Sequence, residues 1–264
     1  MYPEIIRFGD FTISSFGVMV AIAFLAAYWV SSLEFKRKEL DEKLLSNLFI
    51  ASMVGGIVGA KILFLIENVS LSEIARNPVE YIFSRGGLTF YGGFLLAAFL
   101  IWVICRLNNI NTWKILDAIA PSITIGHAIG RIGCLLVGDD YGVPTNLPWG
   151  MAFPEGLPPT REKVHPTQIY ETVLLTIIFV ILWKVRKKEK PDGWLFSLFL
   201  ILAGTERFLI EFIRATTPSP IPGLSLAQLM ALGVIVVGVV KLIQIRTLKP
   251  TTASEVKRSK KSLR

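Results

Sequence analysis

Several stretches of mainly apolar residues run along this chain, separated by short polar loops. A helix needs roughly 20 such residues to cross about 30 Å of hydrocarbon while bonding every backbone group internally. Windows of about 19 residues place spans near 11–32, 44–66, 87–105, 115–137, 168–185, 194–213 and 224–243. The expected fold is therefore all-α, a polytopic integral membrane protein with seven transmembrane helices. The first run follows Asp10, is longer than a signal-peptide core and lacks a basic leader and a small-residue cleavage site, so it is expected to be a retained helix.

Composition agrees: 52% of the 264 residues are hydrophobic and 18% charged, a balance rare in a water-soluble globule. The net charge of +8 would suggest nucleic acid in a soluble protein, but here the basic residues cluster in particular loops and the tail. That clustering implies topology and lipid headgroups, and no nucleic acid. Nineteen Lys and Arg, including Lys36, Arg37, Lys38, Lys43, Arg106, Lys114, Lys184–Lys190 and the tail, fall on one face. Six fall on the other, Arg7, Arg76, Arg85, Arg161, Lys163 and Arg214. The positive-inside rule then sets the N-terminus outside and the C-terminus in the cytoplasm. The domain is expected over 1–245, followed by a basic, disordered tail over 246–264. Cys105 and Cys134 lie in different spans, so neither a disulfide framework nor a zinc site is supported.

Three basic residues remain inside the spans: Lys61, Arg131 and Arg207. A charge there costs several kcal/mol unless a partner, water or ligand offsets it. Lys61 lies near enough to a helix end to snorkel, a reading as strong as a functional one. Arg131 stands in Gly130-Arg131-Ile132-Gly133-Cys134 at the end of the fourth span, before Gly138-Asp139-Asp140-Tyr141-Gly142. It could grip a lipid phosphate, or pair with Asp139, Glu206 or Glu211; the two readings are even. Arg207 and Glu211 stand four apart in Glu206-Arg207-Phe208-Leu209-Ile210-Glu211-Phe212-Ile213-Arg214 and could neutralise one another. Four charges in nine positions exceed the need of one pair, so some are expected to face a polar cavity.

A long external loop from about Gly138 to Pro166 leads to His165-Pro166-Thr167-Gln168-Ile169-Tyr170-Glu171, where Pro166 suits a first helical turn. His165 is favoured as a loop-orienting group over a catalytic one, and His127 is expected to be packed and hydrogen-bonded. Gly86-Gly87-Leu88-Thr89-Phe90-Tyr91-Gly92-Gly93 opens the third span; its glycines suit either close approach of a headgroup or helix packing. Gly55, Gly56 and Gly59, like Gly126, Gly130 and Gly133, have helix-packing spacing. No phosphate-binding loop on a strand and no metal-spaced cluster is present, so no metal and no organic cofactor is expected.

Taken together, these motifs resemble the prolipoprotein diacylglyceryl transferase family of bacterial inner membranes. Phe16-Gly17, the Gly-rich start of span three, Gly130 to Gly142, His165 to Glu171, Glu206 to Arg214 and Leu226-Ala227-Gln228 carry the resemblance in order. It implies transfer of the diacylglyceryl group of phosphatidylglycerol to the lipobox cysteine thiol of a prolipoprotein, releasing glycerol phosphate. The implied partners are phosphatidylglycerol, prolipoprotein lipobox peptides and membrane lipids, met in a cavity open to the bilayer. By resemblance, Arg131 and Arg207 hold the phosphate and stabilise charge on the leaving group. Gly92, Gly93, Gly130, Asp139, Gly142, Gln168, Glu171 and Glu211 support binding.

The sequence departs from the family at polar positions. Tyr91 stands where many members carry histidine, Phe16 where tyrosine is frequent, Cys134 at the signature asparagine and Asp139 at the signature glutamate. The thiol must lose its proton to become a good nucleophile. Two interpretations follow: an active branch in which Tyr91, His165 or a carboxylate takes the proton, favoured because both arginines survive, or a lipid-binding paralogue with altered transfer. A small transporter for an anionic solute is the rival from another class, but its expected repeat symmetry is not found.

Overall fold

The computed structural model describes residues 3–8, 11–83, 87, 89–214 and 223–247. The expected tail lies outside the described residues from 248 onward, as do Gly86 and Leu88 of the glycine-rich stretch. The described chain is mostly helical. Helices occupy all seven places that the apolar runs mark: α1 Ser15–Arg37, α2 Glu42–Asn68, α5 Phe90–Leu107, α6 Thr112–Val137, α7 Thr167–Val185, α8 Trp194–Ile210 and α9 Leu226–Thr247. Among them α1, α2, α6, α7 and α9 are long and apolar enough to cross a membrane. The α5 helix is apolar but shorter, and α8 has 17 residues. The large apolar side chains left exposed along these helices, among them Leu25, Ile57, Leu95, Val173 and Val236, are what a lipid-facing surface presents.

Two short helices between α2 and α5, α3 Leu71–Arg76 and α4 Pro78–Phe83, were not expected. A capping box starts α3: the Ser70 hydroxyl accepts from the Glu73 N–H while the Glu73 carboxylate accepts from the Ser70 N–H. Two hairpins also modify the all-α expectation. Strands β1 Glu4–Phe8 and β2 Phe11–Ser14 pair antiparallel, so the first helix starts at Ser15 and not at Phe11. Strands β3 Met151–Phe153 and β4 Thr160–Val164 organise the long loop before α7. Runs of three to five residues carry too little period-2 signal to stand out beside spans of twenty.

Packing divides the described chain into two compact units, one of residues up to Val30 with those from Ile119 onward, the other Ser31–Ala118. Within the second, α2 and α5 cross through facing glycines. A Cβ on Gly59 would strike the Gly92 carbonyl, one on Gly92 the Gly59 carbonyl, and one on Gly93 the Gly56 carbonyl. Small residues thus set the backbone separation, as in many membrane helix pairs. Lys61 is buried in this unit, its Nζ 5.6 Å from the centre of the Phe64 ring, so it does not snorkel outward. In the first unit, α7 buries Gln168, Glu171, Leu175, Ile178 and Leu182, a stripe at helical spacing that meets Leu195 of α8 through Ile178 and Leu182.

Candidate active site

Two faces of α6 do different work. Gly126 and Gly133 approach α1, where Cβ atoms would lie 3.5 Å from Ala27 and 3.1 Å from Met19. About 100° around the helix, the 3.6-residue period aligns His127, Arg131 and Cys134. Gly130 lies between these faces, and a Cβ there would meet nothing within 4 Å. The helix ends at Gly138, whose φ of +76° is a left-handed C-terminal turn that favours glycine; its N–H donates to the Cys134 carbonyl at 2.8 Å.

Arg131 projects into a closed ring of alternating charge. Its Nη1 donates to Asp140 Oδ2 at 2.8 Å, and its Nε pairs directly with Glu171 Oε2 on α7. The same two carboxylates hold a second guanidinium: Arg214 Nη2 meets Asp140 Oδ1 at 2.7 Å and Arg214 Nη1 meets Glu171 Oε1 at 3.1 Å. Both arginine side chains are about one-eighth exposed, at 12% and 13%, and Glu171 only 1%, whereas Asp140 keeps 44%. The buried side of the ring is therefore fixed and its Asp140 side meets solvent. Arg131 Nη1 also lies 3.6 Å from Cys134 Sγ.

A one-turn 3-10 segment, Glu211–Ile213, ends α8 and delivers Arg214 in extended conformation. Arg214, counted in the sequence with the external loop charges, takes part in this ring. The available signal was its spacing, three residues beyond Glu211 in a stretch already crowded with charge. Arg207 Nη2 pairs with Glu211 Oε2 at 2.6 Å, the expected helical pairing, and Glu211 also lies 3.9 Å from Arg214. Glu211 Oε1 accepts from the Ser225 hydroxyl, and Gln228 binds the Ser225 N–H at 2.8 Å, which joins the Leu226-Ala227-Gln228 motif to the site. Among the described residues, the buried polar atoms of this cluster that lack a hydrogen-bond partner include Arg207 Nη1, Glu206 Oε1 and Gln168 Oε1. Such groups are costly in an apolar surround unless something binds them.

The loop after α6 is stapled to its neighbours. Gly142 donates to the His165 carbonyl at 2.9 Å, and Val143 to that of Ile213 at 2.9 Å. A Cβ on Gly142 would collide with the Ile213 carbonyl and press on His165, so only glycine threads this gap. Asp140 has a φ of +60° and its carbonyl accepts from the Thr167 hydroxyl at 2.7 Å, while Gln168 donates to the Asp139 carbonyl at 2.5 Å. Burial pushes the Asp139 carboxyl up and the Asp140 charge adds to that, against a hydrogen bond with the Cys134 thiol and the pull of Arg131. Burial pushes Asp140 up as well, but the charges and hydrogen bonds of Arg214 and Arg131 outweigh it and hold this carboxyl below its ordinary value.

The expected site residues thus separate. Arg131, Arg207, Glu171 and Glu211 meet in the charged cluster, with Gln168, Asp139, Gly142 and Gly130 around it. His165 turns to Tyr170, its Nδ1 3.4 Å from the hydroxyl that also accepts from Trp149 Nε1 at 2.8 Å, an orienting position. Gly92 and Gly93 lie in the α2–α5 crossing. Tyr91 is 38% exposed on the first turn of α5, in the other unit. His127, expected to be packed, is exposed and donates or accepts no hydrogen bond with a described residue.

In this mostly helical membrane protein, three arginines and four carboxylates meet where α6, α7 and α8 converge, a concentration of charge that marks a functional site. The chain belongs to the prolipoprotein diacylglyceryl transferase family, whose pattern residues 3–244 match. It is 33% identical over 241 residues to a phosphatidylglycerol–prolipoprotein diacylglyceryl transferase of Clostridium tetani, covering 90% of this chain and 96% of that protein. Enzymes of the same name from Finegoldia magna and Pseudomonas fluorescens are each 33% identical, over 244 and 223 residues, covering 92% and 81% of this chain and 94% and 82% of theirs.

Proposed function

We propose that this chain transfers the diacylglyceryl group of phosphatidylglycerol to the lipobox cysteine thiol of prolipoproteins, the first step of bacterial lipoprotein maturation. The observation that carries the proposal is the buried Arg207 Nη1, a charged donor without an acceptor beside the ion cluster. A phosphodiester oxygen would satisfy it. Arg131 contributes on its Asp140 side, because a half-exposed carboxylate yields to an incoming phosphate more readily than the buried Glu171.

In this reading the protein crosses the inner membrane seven times over residues 1–245, around a cavity open to lipid. Its N-terminus is periplasmic, and its C-terminus and basic 246–264 tail are cytoplasmic. Sulfur attacks the glyceryl carbon, the carbon–oxygen bond to phosphate breaks, and glycerol phosphate leaves with one more negative charge than the phosphodiester carried. Arg131 and Arg207 stabilise that added charge, an electrostatic effect worth several kcal/mol when donors are already in position. Gln168, Asp139, Glu171, Glu211, Gly130 and Gly142 shape and hold the site. His165 completes the proposed substrate surface of this unit, and Tyr91, Gly92 and Gly93 are proposed as substrate contacts of the second unit.

One observation favours a second reading, a lipid-binding paralogue with altered transfer: Arg131 and Arg214 are already matched by two carboxylates. Purified protein in phosphatidylglycerol nanodiscs, incubated with a lipobox peptide, distinguishes the two by mass spectrometry. Transfer adds a diacylglyceryl thioether to the peptide, and that product is lost in Arg207→Ala and Arg131→Ala. Lipid bound without product across peptides and acyl chains would leave only the paralogue.

A further inference from the structure

An imidazole on a membrane helix needs a reason to be there. His127 lies one turn before Arg131 on the same face of α6, and its side chain is exposed. Arg131 and Arg207 lie close enough for both charges to act on it. Gly130, three residues further along α6, has open space beside it, so a substrate group has room to reach between His127 and Arg131. A ring nitrogen facing hydrocarbon with no partner would be costly, so water or a substrate group must meet it. The other ionisable groups of this region are committed or turned inward. Arg131, Arg214, Glu171 and Asp140 close the ring, Arg207 holds Glu211, and Glu206 is buried.

We propose that His127 takes the proton of the acceptor thiol, the role for which the chain has tyrosine at the family's histidine position. This rests on the transferase reading above. The thiol S–H proton passes to a neutral imidazole nitrogen while the sulfur electron pair forms the bond to the glyceryl carbon. The carbon–oxygen bond breaks, its electrons stay on the phosphate between Arg131 and Arg207, and the imidazolium returns its proton to the departing glycerol phosphate. His127 and Arg131, the clamp's arginine on α6, then lie on adjacent turns of one helix, which fixes their separation without help from a loop.

A nucleophile that is already ionised separates this role from a structural one. Transfer is measured in phosphatidylglycerol nanodiscs with two lipobox peptides, one carrying cysteine and the other selenocysteine, whose selenol is ionised at neutral pH. With the cysteine peptide, His127→Gln is expected to lose about 100-fold or more, the usual contribution of a positioned base. With the selenocysteine peptide its rate returns to within a few-fold of the unsubstituted protein. Equal losses on both peptides, or a His127→Gln rate within three-fold of the unsubstituted protein on cysteine, would overturn the assignment. Should His127→Gln not fold, His127→Ala gives the same comparison. Absence of product from the unsubstituted protein would instead overturn the transferase reading.

Discussion

Glu171 bonds two guanidinium groups while almost wholly buried, so Glu171→Gln is the most direct test of the charge ring. The substitution keeps size and one carbonyl acceptor but removes the charge that both Arg131 and Arg214 face, leaving Asp140 to both and the more distant Glu211 to Arg214. Removing one partner of a buried ion pair costs about 3–5 kcal/mol. The retained amide acceptor favours the lower end, about 3 kcal/mol, or roughly 100-fold in the unfolding equilibrium. Asp140→Asn removes the other carboxylate, but that side chain is 44% exposed, and solvent screening brings its cost to about 1 kcal/mol. Unfolding in mixed micelles, followed by circular dichroism against rising denaturing detergent, measures both. In the double variant Glu171→Gln/Arg214→Gln the cost is expected to fall below the sum of the singles, since each variant relieves a charge the other strands. Equal losses for Glu171→Gln and Asp140→Asn, or strict additivity in the double variant, would refute the ring as the organising element.

The two adjacent aspartates are expected to respond oppositely to pH. Arg214 and Arg131 hold the folded Asp140 carboxyl below its ordinary value, so its contribution is present above about pH 4 and is lost as pH falls through the lower folded value; acid unfolding of Asp140→Asn is correspondingly flatter. Burial raises the folded Asp139 carboxyl, so its charge destabilises as pH rises through that value, and Asp139→Asn is expected to match or exceed the parent's stability at pH 7 in the same detergent titration. Gly59→Ala, whose Cβ would strike the Gly92 carbonyl, is expected to cost about 1–3 kcal/mol by forcing α2 and α5 apart, whereas Gly56→Ala has room and stays within about 0.5 kcal/mol. Gly130→Ala should fold like the parent, because its Cβ meets nothing, and lower lipid binding if the recess beside Arg131 receives the headgroup.

The spans were legible because length and hydropathy alone define them: a run of twenty apolar residues has few alternatives to a helix. The pairing of Arg207 with Glu211 was legible for a similar reason, since four residues along a helix fix a shared face. The ring was not. It joins residues 131, 140, 171 and 214, and no local period connects them; only the tertiary crossing of α6, α7 and the end of α8 does so. Arg214 lay just beyond the sixth apolar run and so read as a loop charge. His127 shows the converse error, because the rule that a lone histidine is usually packed carries no information about which side of the helix faces open space. The Gly-rich start of α5 offered two meanings, and the close crossing with α2 realises the packing one at Gly92 and Gly93.

The stapling of the loop after α6 to the end of α8 bears on how the chain is made. During synthesis Arg131 enters the membrane forty residues ahead of Glu171 and well before the segment that carries Arg214. Until α7 follows, its nearby counter-charges are Asp139 and Asp140, at the water's edge. The permanent neutralisation of that first cation is thus deferred until α7 is inserted, and the ring closes only when residues 211–214 seat against Gly142. A chain halted before that point would hold an incomplete cradle.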